Sequence, residues 1–264
     1  MPRYRIDVAY DGSAYSGWQV QPARRTVQGE LERLLESMTG GRSVRVECSG
    51  RTDAGVHARR QVAHFDLEKP VDPSYFKRGL NAQLDPDVRV LAFRRTTRDF
   101  HARFSACGKE YRYFLYNGAV LPPWKRLYRL HERRSLDVEA MRGAADRLVG
   151  EHDFAPFSAN PNREIDGTVR TIYALRVRRH GSEIVLAVRG NGFLYKMVRS
   201  LAGFLVRVGR GELPPEAAEE IFELGRRTAV VPTASPKGLF LWNVFYRPLS
   251  ETPEKALPPR RGSG

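Results

Sequence analysis

Between the apolar runs Val44–Val46 and Val62–Phe65 the chain carries Cys48-Ser49-Gly50-Arg51-Thr52-Asp53-Ala54-Gly55-Val56-His57-Ala58. This stretch constrains the fold more than any other. Glycine reaches backbone angles closed to other residues, so Gly50 and Gly55 predict a tight loop between two strands. A loop fixed at both ends by strands holds its side chains in place, which is a common setting for catalytic groups. Asp53 is the carboxylate at its centre, two residues after Arg51. The alternative is an ordinary turn in which Asp53 caps its own backbone.

The pattern around that loop sets the fold class. Arg3–Tyr10 reads as a strand ending at the turn Asp11-Gly12. Val27, Leu31, Leu34, Leu35 and Met38 recur at helical spacing and Gly40-Gly41 stops them, which predicts a helix over 27–38. Strands follow at Val44–Cys48 and Gln61–Leu67, Asp72-Pro73 opens a helix towards Asn81, and a strand covers Val88–Arg94. The second half repeats the order. Lys109–Tyr116 alternates and is closed by Asn117-Gly118, with a helix next over 138–149. Strands at Thr171–Arg178 and Ile184–Arg189, a long helix over 193–208 and a strand at Leu239–Tyr246 complete it. The reading is an α+β fold of two similar α+β halves, 1–106 and 107–249. Each half is an antiparallel sheet with helices on one face, the last strand closes the second sheet, and a basic cleft lies between the halves. Residues 250–264, rich in Pro, Arg and Gly, read as a disordered tail.

Lys and Arg number 44 against 30 Asp and Glu, a net charge of +14 that points to a polyanionic partner, nucleic acid before a membrane surface. The basic residues are spread along the chain, so a folded basic surface is expected rather than a disordered arm. Arginine far outnumbers lysine, which suits bidentate phosphate contacts, although a GC-rich genome gives the same bias. No apolar run approaches transmembrane length, and Met1-Pro2-Arg3-Tyr4-Arg5 enters a strand pattern without the apolar core of a secretion signal. Cys48 and Cys107 lie far apart without metal-ligand spacing and read as reduced thiols, so the expected location is the cytoplasm.

Several further blocks stand in a recognisable order. They are Tyr10-Asp11-Gly12 with Gly17-Trp18-Gln19, Gly50-Arg51-Thr52-Asp53-Ala54-Gly55-Val56-His57, Phe100-His101-Ala102-Arg103-Phe104-Ser105-Ala106 and Tyr111-Arg112-Tyr113. Beyond them come His152-Asp153-Phe154 with Phe157, Arg170-Thr171-Ile172, Gly192-Phe193-Leu194-Tyr195-Lys196-Met197-Val198-Arg199 and Gly238-Leu239. In these blocks, and over nearly its whole length, the chain resembles the tRNA pseudouridine synthase A family. The resemblance implies isomerisation of uridine to pseudouridine. The bond from C1′ to N1 is cut, the base turns over, and it rejoins through C5, with no cofactor and no metal. It also implies tRNA as partner, modified at positions 38, 39 and 40 of the anticodon arm, and a homodimer whose two subunits grip one tRNA.

By resemblance Asp53 is the essential carboxylate. An ionised aspartate facing a buried uracil is poorly solvated and needs a cationic neighbour. The resemblance gives that place to Arg199, and Lys196, one helical turn earlier, either shares its face or contacts phosphate. Tyr111 is implied as the aromatic that stacks on the target base and moves a proton late in the reaction, whereas Tyr113 and Tyr116 read as core tyrosines. Arg51 resembles a residue that wedges into the space left by a flipped base, against a loop salt bridge or a phosphate contact. Arg103, Arg24, Arg25 and Lys77 are candidate phosphate contacts. His57 and His101 are expected to make structural hydrogen bonds, and Trp18, Phe154 and Phe157 to lie in the core.

Two other readings compete. A non-catalytic RNA-binding module or RNA chaperone would keep the same basic cleft, but a carboxylate at its centre would repel phosphate. A glycoside hydrolase would need a second, suitably spaced carboxylate, and the Asp53 motif offers none.

Overall fold

A computed structural model describes residues 1–159 and 167–248, so the tail expected over 250–264 lies outside the described residues. The strands in chain order are β1 (Arg3–Tyr10), β2 (Glu47–Cys48), β3 (His57–Asp66), β4 (Val88–Thr96), β5 (Gly108–Tyr116), β6 (Leu130–His131), β7 (Gly150–Asp153), β8 (Val169–His180), β9 (Glu183–Gly190) and β10 (Leu239–Phe245). The helices are α1 (Val27–Met38), α2 (Pro73–Gln83), α3 (Val138–Arg147), α4 (Met197–Gly209) and α5 (Ala217–Leu224). All the strands join one sheet in the order β4-β1-β3-β10-β5-β9-β8-β7, with β2 added to β3 and β6 to β5.

The fold class is α+β as expected, but the strands form one sheet rather than two. β10 pairs antiparallel with β5, Leu241 opposite Tyr111, and parallel with β3, Phe240 opposite His57. A strand has two hydrogen-bonding edges, and with β5 on one of them the other would be left open. The strand expected to close the second sheet therefore joins the strands of both halves.

Local chemistry explains the elements that the sequence announces. Thr26 accepts from Gly29 N–H to cap α1, Asp72 caps α2 ahead of Pro73, and Asp137 caps α3 through the N–H groups of Glu139 and Ala140. Helix α1 buries Val27, Leu31, Leu34 and Leu35. On the sheet, Tyr4, Ile6 and Phe65 of the first strands and Tyr113, Leu186 and Val177 of the later ones are buried. They lie beneath α2, which packs on β4, and α3, which packs on β8 and α4. Trp18, Phe154 and Phe157 are core residues, as their setting predicts.

The short strands β6 and β7 and the first four residues of β3 are absent from the sequence reading, and three further differences have a local cause. β2 is shorter than Val44–Cys48 because α1 takes over the backbone of Val46. Gln28 Nε2 donates to its carbonyl at 3.1 Å and Glu32 Oε1 accepts from its N–H at 2.8 Å. α4 starts at Met197 instead of Phe193, since Lys196 adopts left-handed backbone (φ 58°) and the Tyr195 carbonyl accepts from Ala159 N–H. α5, which the sequence reading lacks, spans two turns between Pro215 and Gly225, too short for a periodic signal.

From the edge strand β4 the chain must cross β1, β3 and β10 to reach β5. The Phe100-His101-Ala102 block makes that crossing on the sheet face opposite the helices. Ala102 N–H donates to His64 Nδ1 at 3.2 Å, Tyr246 Oη donates to the Ala102 carbonyl at 2.7 Å, and Cys107 N–H donates to the Phe245 carbonyl at 2.8 Å. Ala102 is fully buried there.

Candidate active site

The loop from Ser49 to Val56 joins β2 to β3 and is held from behind by buried polar groups. Gln61, fully buried on β3, accepts from Ser49 Oγ at 2.7 Å and donates through Nε2 to the Gly50 carbonyl at 2.7 Å. Tyr10 Oη and Thr52 Oγ1 share a hydrogen bond of 2.8 Å. A second loop, after β1, closes over the first. Trp18 N–H donates to the Thr52 carbonyl and Gly55 N–H to the Tyr15 carbonyl. Two glycines make this possible. Gly55 has φ 75°, and Gly17, at φ 96°, would place a Cβ 2.6 Å from the Thr52 carbonyl oxygen. The Gly17-Trp18 block is thus the clasp of the Asp53 loop. The sequence reading assigned Gln61 nothing beyond the start of a strand, although a polar residue leading an apolar run was the available signal.

The structure brings Asp53, Arg199 and Tyr111 together. Arg199 Nη1 donates to Asp53 Oδ2 at 2.8 Å while its Nε donates to the Ala234 carbonyl at 2.8 Å, so the guanidinium is fixed at two points. The side chains are 22% and 12% exposed for Asp53 and Arg199, which leaves the pair partly open to solvent instead of sealed in the core. Asp53 Oδ1 has no hydrogen-bond partner among the described residues. Tyr111 is 7% exposed, and its ring meets Phe193 edge-on at 5.2 Å. Burial, with the Asp53 carboxylate adding to it, raises the Tyr111 phenol far above its ordinary pKa, so it is neutral. Its hydroxyl has no partner among the described residues. Tyr113, two residues on, is fully buried and donates to the Ser235 carbonyl at 2.8 Å, a core tyrosine as expected.

The remaining candidates fall into different settings. Arg51 is exposed and has no salt bridge among the described residues. Lys196 sits at the N-cap of α4 outside the helix, with Nζ 4.8 Å from the centre of the Tyr195 ring, so it does not share a helical face with Arg199. Arg103 is exposed beside the Phe104 ring, Arg24 is exposed, and Lys77 is half-buried on α2. The Arg25 guanidinium is held by Asp87, Asp85 and Glu30 at 2.9, 2.7 and 3.4 Å and stacks on Tyr15, so unlike Arg24 it already has acidic partners within the protein.

The histidines make structural hydrogen bonds. His57, fully buried, accepts from Gly12 N–H on Nδ1 at 3.0 Å, and Nε2 lies 3.2 Å from the carbonyls of Leu127 and Lys237. His101 accepts on Nδ1 from Arg103 N–H at 3.1 Å and Phe104 N–H at 3.3 Å. The sequence reading missed that Glu47, His64 and His101 converge, with one ligand-type atom from each within 4.8 Å of the others. This group does not fit a metal. Both imidazoles use Nδ1 as acceptor for a backbone N–H, which puts the proton on Nε2, and His101 Nε2 lies 3.2 Å from Glu47 Oε2. An imidazole ligates a metal through a bare ring nitrogen, and here Nδ1 is taken up by a backbone N–H while Nε2 carries the proton. The cluster fixes the crossing between β4 and β5.

Comparison with known proteins agrees in kind. A family model described as tRNA pseudouridine synthase matches residues 7–105 and 144–247. The tRNA pseudouridine synthase A of Listeria innocua is 43% identical over 248 residues, 93% of this chain and 100% of the relative. That of Oceanobacillus iheyensis is 42% identical over 246 residues, 93% of this chain and 97% of the relative. That of Halalkalibacterium halodurans is 46% identical over 241 residues, 90% of each chain.

Proposed function

As the chain belongs to the tRNA pseudouridine synthase family, we propose that Asp53 is its reacting carboxylate and the anticodon arm, at positions 38, 39 and 40, its target. The enzyme isomerises uridine to pseudouridine in tRNA. One observation carries the assignment of Asp53: Arg199 holds Oδ2 at 2.8 Å while Oδ1 has no partner among the described residues. Attack at C1′, attack at the base and removal of a ribose proton all require a charged carboxylate with one open oxygen.

The other roles follow from the same geometry. A uridine inside a stem or loop must leave its stack, at a cost of a few kcal/mol. Arg51, exposed on the Asp53 loop, fills the space it leaves. Tyr111 stacks on the extruded base, an interaction worth about 1–3 kcal/mol, and its hydroxyl relays a proton late in the reaction, taking up the one that leaves C5 as it gives its own to N1. Lys196, Arg103, Arg24 and Lys77 contact phosphates. Cutting and remaking one glycosidic bond within a single nucleoside is redox-neutral, so the reaction calls for no oxidant, and Asp53 acts without a cofactor or metal. The halves 1–106 and 107–249 form the two walls of the basic cleft.

The enzyme works in the cytoplasm as a homodimer, since one chain of this size is small for gripping a folded tRNA. Disrupting the dimer abolishes tRNA modification and leaves each subunit folded. Normal activity from a monomer verified by sedimentation would overturn the dimer.

The deciding experiment is tritium release from tRNA labelled at C5 of uridine, with wild type and Asp53→Asn. Release by wild type alone, with tRNA bound by both, is the expected result. Tight binding without release by wild type would return the chain to the RNA-binding modules.

A further inference from the structure

Lys109 has a place beside the Asp53 loop that none of the roles above uses. It lies on β5 two residues before Tyr111, so the two side chains leave the strand on the same face. Its head group rests against Gly50, the residue that opens the Asp53 loop. A Cβ on Gly50 would stand 2.9 Å from Lys109 Nζ, so the glycine makes room for the ammonium.

This ammonium has no counter-ion among the described residues. Among the described residues Lys109 makes no hydrogen bond or ion pair. The groups that act on it from the neighbouring elements are Cys48 on β2, Arg103 on the crossing segment and Arg170 on β8. Two of the three are cations. The third is a thiol that burial pushes up to about 11, so it is uncharged at neutral pH. The Lys109 ammonium is accordingly pushed down to about 8, burial being the main cause and the two arginines adding to it. A half-buried charge with like charges around it and no partner is costly. A lysine in a purely structural role would bury its stem and keep its head in water.

We propose that Lys109 binds a backbone phosphate of the tRNA beside the uridine that stacks on Tyr111. The proposal rests on the reading of Tyr111 as the stacking residue and of tRNA as substrate. A phosphate supplies the missing negative charge and turns the desolvated ammonium into a charge-assisted contact. It also ties the position of the target nucleotide to the Asp53 loop, because Gly50 and Lys109 touch.

The test measures tRNA affinity against salt for wild type, Lys109→Gln and Lys109→Arg, together with tritium release from C5-labelled tRNA. Each phosphate contact contributes about 0.7–0.9 to the slope of log K against log salt, so Lys109→Gln lowers the slope by about that amount and Lys109→Arg restores it. The loss in turnover falls on KM and not on kcat. An unchanged slope overturns the proposal, as does a fall in kcat at unchanged affinity, which would place Lys109 at the uracil ring. No tritium release by wild type would instead defeat the functional reading. If Lys109→Gln does not fold, the wild type decides alone. Its affinity for tRNA must fall as pH rises through about 8 and the ammonium discharges, and a flat profile across that range overturns the proposal.

Discussion

Arg199 and Asp53, 146 residues apart in sequence, meet at 2.8 Å, and the same guanidinium also holds the Ala234 carbonyl. The two bonds fix the direction of the charge as well as its presence. Lysine cannot reproduce that fork, and glutamine removes the charge altogether. Arg199→Gln is expected to lower kcat about 10²–10³-fold, the usual scale for removing one preorganised electrostatic group. Arg199→Lys should fall between it and wild type. Single-turnover tritium release at saturating tRNA checks this, and a wild-type rate from Arg199→Gln would sink the pairing role.

Tyr111→Phe separates two contributions. The ring and its edge contact with Phe193 survive, so tRNA affinity should hold. The lost hydroxyl is the one that has no partner among the described residues and is held neutral by burial. If it moves a proton, turnover drops by about 10²–10⁴-fold, the range for a positioned general acid or base. Full activity would confine Tyr111 to stacking.

The Asp53 loop was legible in the sequence because its determinants are local: two glycines, one carboxylate, apolar runs on both sides. Helix α1 was legible for the same reason, its buried stripe and Thr26 cap lying within one short segment. The partner of Asp53 was not. Nothing in the pattern around Arg199 points to a loop 146 residues away, and only the family resemblance named it. The central place of β10 was hidden too, because the pairing of a strand's second edge is decided by what else needs an edge. The start of α4 was misplaced because a residue in left-handed backbone such as Lys196 looks, in a helical spacing, like any other.

Gln61 ties the fold to the site. It bridges Ser49 and the Gly50 carbonyl while fully buried, so Gln61→Leu keeps the volume and strands both partners. Each unsatisfied buried group costs about 1–3 kcal/mol. The variant should unfold at lower denaturant and also lose turnover, since the Asp53 loop is no longer pinned at its entry. Denaturant unfolding and tritium release measure the two effects. Wild-type turnover in a destabilised variant would mean that the clasp through Trp18 and Gly55 positions Asp53 without Gln61.

His57 gives the stability of the protein a pH dependence. Two effects oppose each other at its ring. Asp11 Oδ1, 3.1 Å from Nδ1, favours the imidazolium, while complete burial disfavours it. Burial wins, and the pKa is lowered from its ordinary value. The bond from Gly12 N–H to Nδ1 agrees, since it requires a bare nitrogen there. As pH falls through about 6.5 the unfolded chain takes up a proton that the folded protein still refuses, so the unfolded state binds more protons and stability declines. The His57 contribution is therefore complete above the unfolded pKa and is lost towards the lower folded one. His64, also lowered mainly by burial, acts in the same direction. Denaturant unfolding at about pH 7.5 and about pH 5 should show this loss in wild type. His57→Asn, which keeps an acceptor for Gly12 N–H, should be less stable at the higher pH and show a shallower decline. An undiminished decline in that variant would assign the pH dependence to other groups.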